Sequence, residues 1–463
     1  MARQNDQHDP SSAQDGHDLL IPFHLIDPQL NDDEDTEQHK AHRGHYQKKR
    51  SIRHYRHATS RWRAALESFN PLWFALAISS GGLGEIFGDA TFPYRGHWQI
   101  TISTILYVVE IVLFFLFTGI MLARWIRYPH VAARRAMSDA DELGAYAIPP
   151  IALMVIAALT ASQVSAGPWG KHAFTIVAYV LWWIGVVWVF LTGPVVLTVL
   201  FYTGNQSSRT MSPVLFMAPV GLATAGATAG YITTYSFEMS PRLAVPQIVV
   251  GYFAAGVATF MGIILYNIYF HRLLAAGFPV HAKRPAMFIL VGPAGQLATS
   301  LQMLGEAASG HMNFAQYKPT SVDPPTYGTV WTQQTAQGLQ STGLLLALLI
   351  LGFCYLMLCL AIIGVGDLFI QRRATYNLTW CAMVFPMVTL TTAWLSLASS
   401  MDSPAFRGLV CALTVILFIV FFINLAFTVK GLFDGSLIFG TTQLDQEADL
   451  MSKAQAEEKQ EQV

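Results

Sequence analysis

Two glutamates, Glu85 and Glu110, lie inside apolar stretches of the chain. A carboxyl placed there can carry a coupling proton, repel a passing anion, or hydrogen-bond as a neutral acid. Glu110 falls in the middle of a long, smooth apolar run and reads as a buried hydrogen-bonding carboxyl in its protonated form. Glu85 lies about two-thirds of the way across its run, and a coupling proton, a place in an outer vestibule and a structural role all stay open for it. Two glutamines, Gln296 and Gln302, sit in another apolar stretch, "FILVGPAGQLATSLQML" (288–304). They can line an aqueous path or bond between helices. Other chemistry is missing from the sequence: there is no P-loop, GxSxG elbow, HExxH or CxxC, and no His or carboxylate pair at metal-ligand spacing within a span. These absences argue against an enzyme, a bound metal and a cofactor. Any energy used would come from a gradient.

The elements that must hold these residues are membrane helices. The 463 residues are 53% hydrophobic and 12% charged, with mean hydropathy +0.40. Soluble domains carry about 25% charged residues. The net charge of −1 gives no reason to expect a nucleic-acid partner. The four cysteines all fall in apolar runs, so no structural disulfide is expected. Ten apolar segments follow one another at 70–90, 97–124, 144–166, 172–203, 211–235, 243–271, 286–306, 336–364, 376–400 and 404–432. Each is long enough for a hydrocarbon core of ~30 Å at ~1.5 Å per residue. The expected organisation is therefore an all-α domain over 69–433 between polar tails at 1–68 and 434–463. The first tail carries an acidic run (31–37) and a basic, His-rich run (39–57) suited to lipid headgroups. Its histidines are too irregularly spaced to read as a metal site. Ten spans put both tails on one side. Loops on that side hold ten Lys and Arg against five on the other, and the N-terminal tail adds ten more. By the positive-inside rule both termini are cytoplasmic. The sequons at Asn205 and Asn377 are then on the unglycosylated side. The same tally leaves no basic residue deep in the membrane.

Odd and even segments differ. The odd ones carry "SSGGLGEIFG" (79–88), Pro149 and Pro150, Pro219 with "GLATAGATAG" (221–230), "GPAG" (292–295) with Pro293, and "FPM" (385–387) with Pro386. The even ones are longer and bulkier, apart from Pro194 in the fourth. A proline inside a helix leaves the carbonyl four residues earlier without its donor, as Pro386 would leave Ala382. In lipid that orphan costs several kcal/mol unless protein or water satisfies it. Alternate helices so marked fit a central, partly hydrated path. Its expected lining includes Ser80, Gly81, Gly82, Pro149, Pro219, Pro293, Gln296 and Pro386.

The pieces "FNPLWFALAISSGGLGEIF" (69–87), "FPYRGHW" (92–98), "LFFLFTGIMLARWIRYP" (113–129), "MSPVLFMAPV" (211–220), "RPAMFILVGPAG" (284–295), "NLTWCAMVFPM" (377–387) and "DSPAFRGL" (402–409) occur in one order. Together the chain resembles the tellurite-resistance/dicarboxylate transporter family over about residues 69–435. That family includes plant slow anion channels, fungal malic-acid permeases and sulfite efflux pumps. The resemblance implies ten helices as five hairpins in quasi-fivefold order around one pore per subunit, often in a homotrimer at the plasma membrane. It implies a small anionic substrate. "SSGGLG", "FPYRGHW", "RPAMFILVGP" and "DSPAF" resemble the malate permeases most. "IYFHRLLAAGFP" (268–279), "GPAGQ" and "QMLG" (302–305) resemble the sulfite pumps. C4-dicarboxylates rank first and sulfite second; a non-transporting receptor or scaffold is the remaining reading. Glu85 departs from the permease pattern. A phenylalanine within the family's "FP" motif plugs the pore of its channels, and Phe385 is the matching residue.

Overall fold

A computed structural model describes residues 61–204, 211–310, 313–318, 330–434 and 436–439. Ten main helices run through the apolar segments: α1 Phe74–Gly88, α2 His97–Arg127, α3 Ile148–Leu159, α4 Lys171–Thr203, α5 Met217–Tyr235, α6 Pro241–Ala276, α7 Val291–Ser309, α8 Gln333–Ile370, α9 Val384–Ser400 and α10 Pro404–Phe433. Among the described residues nine spans are long and apolar enough to cross a membrane. α1 is the shorter element. Its 15 residues give ~22 Å, and the 3-10 turn Pro71–Trp73 ahead of it adds ~6 Å. A further helix, Arg61–Ser68, lies ahead of residue 69. The acidic and His-rich runs and Asn205 lie outside the described residues.

Consecutive helices pack as five hairpins: α1 with α2, α3 with α4, α5 with α6, α7 with α8 and α9 with α10. The odd helices also touch in the order α1, α3, α5, α7, α9 and back to α1, which closes a ring of five. Burial follows this division. Between 78% and 100% of the central stretch of the longer odd spans is buried, against 28–44% for the even ones. The even helices present Phe115, Leu191, Phe253, Leu349 and Tyr355 outward, the surface a bilayer requires. Small residues let the inner helices approach: a methyl group at Gly230 of α5 would run into the backbone of Met303 in α7.

The prolines do something other than break mid-helix hydrogen bonds. Four inner helices are preceded by 3-10 runs, Pro71–Trp73, Pro213–Phe216, His281–Leu290 and Leu378–Met383. Pro219, Pro293 and Pro386 are each the third residue of the α-helix that follows, and Pro149 is the second of α3. In a first turn proline lacks only a donor the helix does not use, and its fixed φ suits the helix. Pro386 thus sits just after a handover from 3-10 to α winding. Ala382, whose carbonyl was expected to be orphaned, lies inside the 3-10 run. A π-turn at Thr160–Ser165 lengthens α3.

Four of the five turns on the face where α1 begins, the near face, start with a side-chain cap. Asn70 accepts from Leu72 N, Asp139 from Asp141 N, Ser212 from Val214 N and Asn377 from Thr379 N, at 2.8–3.1 Å. Asn377 is committed to this structural role. The turns are stitched sideways as well. Asp141 accepts from Ser212 Oγ and pairs with Lys283 at 3.1 Å. The Ala282 carbonyl accepts from Asn377 Nδ2 and Thr379 Oγ1. One tally from the sequence changes here: Arg124, in the last turn of α2, and Arg272, four residues before the end of α6, were counted as loop residues and are buried helix residues.

Asp139 is strained by its position. Burial, reinforced by the Asp141 carboxylate, pushes it from an ordinary 3.8 up to about 6. A carboxyl raised on folding disfavours the folded state only where it is ionised. The cost is absent below about 3.8, grows as pH rises, and is complete above about 6. Asp139→Asn keeps a capping side chain and removes the charge. The purified variant should melt above wild type at pH values beyond about 6 and together with it below about 4. Equal melting across that range would show that the charge costs nothing.

Candidate functional site

Within the helix ring, toward the far face, lies a cavity of about 30 Å³. Its walls include Glu85 of α1, Thr228 and Tyr231 of α5, Gln296 of α7, and Thr392 and Ser396 of α9. The volume suits a water or two and is smaller than a C4-dicarboxylate. Among the described residues no Lys, Arg or His lines it. Several of its hydroxyls are already committed. Thr228 donates to the Thr224 carbonyl at 2.7 Å, and Thr392 to the Thr389 carbonyl at 3.0 Å. Thr299 Oγ1 meets Thr392 Oγ1 at 3.1 Å, tying α7 to α9. The two glutamines of α7 divide their tasks. Gln296 faces the cavity, whereas Gln302 donates to the carbonyls of Ala298 and Ala393, one on each helix.

Asp89 closes the far end of the cavity. Its Oδ1 accepts from the amide and the hydroxyl of Thr91, both at 2.6 Å. The far mouth therefore presents acids and neutral donors. Among the described residues no group of three His, Cys, Asp or Glu is placed to hold a metal.

Toward the near face the packing is apolar. Phe385 lies seven residues before Thr392, on the same face of α9 and ~10 Å lower. It is 1% exposed. A methyl group at Gly82 of α1 would stand 2.8 Å from Val388 Cγ1 and 3.3 Å from the Phe385 ring. Gly292 of α7 faces Val220 of α5 and Pro386 of α9 in the same way. A phenyl ring and two valines thus fill a gap bounded by two glycines.

The expected lining residues divide accordingly. Gln296 and Glu85 reach the cavity, and Gly82 and Pro386 lie at the constriction below it. Ser80 and Gly81 turn away from the axis: the Ser80 hydroxyl donates to the Leu106 carbonyl of α2 at 2.8 Å, and Gly81 faces the Glu110 carboxyl. Pro149, Pro219 and Pro293 shape the first turns of their helices. Glu110 makes none of the hydrogen bonds expected of it; both oxygens are buried without a partner. Sequence reading missed Thr228, Tyr231, Thr392 and Ser396. The signal available was spacing: Thr392 and Ser396 are four apart and continue the Phe385 face.

Comparison with known proteins agrees with this architecture. A family model described as "Voltage-dependent anion channel" matches residues 68–429. Two proteins of Schizosaccharomyces pombe are 25% identical. One, named as a malic acid transport protein, aligns over 74% of this chain and 73% of its own length. The other, given the same name provisionally, aligns over 81% and 82%. A sulfite efflux pump of Arthroderma benhamiae is 23% identical over 74% of this chain and 85% of its own length. The chain is an integral membrane protein of anion transport, and it belongs to the voltage-dependent anion channel family.

Proposed function

We propose that the protein carries small anions through the axis of its helix ring, with C4-dicarboxylates such as malate as the first-ranked substrates. The observation that carries this reading is the polar cavity inside a closed ring of five helices, shut on its near side by the Phe385 ring against Gly82. In this reading Gln296 and the hydroxyls around it meet the anion, Phe385 is the gate, and Glu85 is the titratable group nearest the path. Absence of any cation from the lining makes passage depend on neutral donors rather than fixed charge. The slightly greater identity to the malic acid transport proteins supports malate, and sulfite efflux is the second reading. α1 serves as a tenth span, which returns both termini to the cytoplasm of a plasma-membrane protein that assembles as a homotrimer.

The discriminating experiment uses a yeast strain lacking its own carriers. Expression should confer uptake of radiolabelled malate. Sulfite resistance without malate uptake would reverse the ranking. No flux of malate, succinate, sulfite, nitrate or chloride in proteoliposomes would favour a scaffold or receptor.

A further inference from the structure

Glu110 lies midway along α2, wholly buried, with neither carboxylate oxygen hydrogen-bonded. Buried polar groups are almost always partnered, so each exception calls for an explanation. Its carboxyl fills the space that a side chain at residue 81 would need: a methyl group on Gly81 would collide with the carboxyl carbon and both oxygens. The next residue points about 100° further round the helix. Gly82 seats Val388 and the Phe385 ring. Two adjacent glycines of α1 therefore receive an acid on the outward face and the constriction on the axial face.

Among the described residues the surroundings offer the acid no counter-charge. Glu85, one turn along α1, is the charged group that acts on it. On its own helix Tyr107 is nearby, with its hydroxyl bonded to Thr160 of α3 at 2.7 Å. α3 and its π-turn contain no titratable residue, and α1 contains none but Glu85. Arg124 and His97 lie fourteen and thirteen residues away on α2, ~20 Å along the axis. A seated carboxylate would be a buried charge without compensation, which proteins avoid by keeping the proton.

We propose that Glu110 is a proton-controlled latch on the constriction. With its proton on, the carboxyl rests in the Gly81 gap and α1 presses Gly82 against the Phe385 ring. When the proton leaves, the carboxylate quits the gap, α1 shifts, and the ring loses its seat. The proton goes to solvent through the Glu85 side of α1. The inference rests on the reading of Phe385 as the gate.

The test uses full-length protein in liposomes with nitrate as the probe, since nitrate stays ionised throughout and pH can act only on the protein. Wild-type efflux should rise ~tenfold between about pH 5 and about pH 8. Glu110→Gln should stay near the low value, within about twofold across the range. Gly81→Ala fills the seat and should give high flux already at about pH 5. A wild-type profile without slope, or one that Glu110→Gln reproduces, overturns the proposal. A second readout needs no transport. The infrared difference spectrum between the two pH values should contain the carbonyl stretch of a buried carboxylic acid, lost in Glu110→Gln. A band unchanged in Glu110→Gln also overturns it. Failure of the gate reading is separate: it shows as unchanged nitrate flux in Phe385→Ala, and the infrared result then decides whether Glu110 titrates.

Discussion

Phe385→Ala is expected to raise anion flux by at least ~tenfold while the protein folds and reaches the membrane at normal levels. The reason lies in what the ring touches. It projects from the first turn of α9, where the 3-10 run Leu378–Met383 hands over to α-helix and Pro386 fixes the backbone. It meets Gly82 of the neighbouring inner helix. It continues, two turns lower, the face that carries Thr392 and Ser396 into the cavity. Removing it opens the polar cavity toward the near face, so the volume gained joins the path instead of forming a sealed void. A constriction that closes by bulk and by excluding water should then hydrate. The opposing account is that Phe385 is ordinary packing, since it also belongs to the main apolar cluster. Truncation of a packed Phe costs ~3–5 kcal/mol in soluble cores, which predicts poor expression and no gain in flux. Single-channel or proteoliposome flux at or below wild type, with surface expression confirmed, would sink the gate assignment.

Much of the architecture could be read from sequence because it is written in side-chain size. The bulky even segments became the lipid-facing helices, and the small, proline-bearing odd ones became the inner ring. The function of the prolines could not be read the same way. Pro219, Pro293 and Pro386 look like interior helix breakers until the 3-10 runs before them are known, because local winding depends on contacts between turns. A short internal repeat was nonetheless present. Asn70, Asp139, Ser212 and Asn377 each cap a turn that leads into an inner helix. The intervening residues diverge enough to hide it. Glu110 was misread for a related reason. Its seat is a missing side chain on another helix, and Gly81 advertises nothing about α2 until the register between the two helices is fixed. Thr228, Thr392 and Ser396 were overlooked because Thr and Ser in membrane helices usually bond back to their own turn, as Thr228 does. Only the three-dimensional ring shows which of them also face the axis.

The largest loss of stability is expected from Glu142→Ala. Arg124, in the last turn of α2, is fully buried and donates to Glu142 Oε1 at 2.6 Å. Its Nε and Nη2 find no other partner. Glu142 belongs to the short helix Ala140–Ala145, and its neighbour Asp141 pairs with Lys283 and accepts from Ser212. The ion pair therefore joins the outer helix of the first hairpin to a bridge that spans the second, third and fourth. Deleting the acid leaves a guanidinium sealed among apolar helices with no counter-charge. Breaking a buried pair from one side costs ~3–5 kcal/mol, whereas replacing both partners by apolar groups of similar volume is often close to neutral. The single variant should be poorly recovered and melt well below wild type in detergent. The double variant Arg124→Met, Glu142→Met should recover most of that loss, because it removes the charge together with its partner. The comparison separates electrostatics from packing. If the double variant were no more stable than Glu142→Ala, the lost contribution would be the shape of the Glu142 side chain, and the buried charge would have been tolerated.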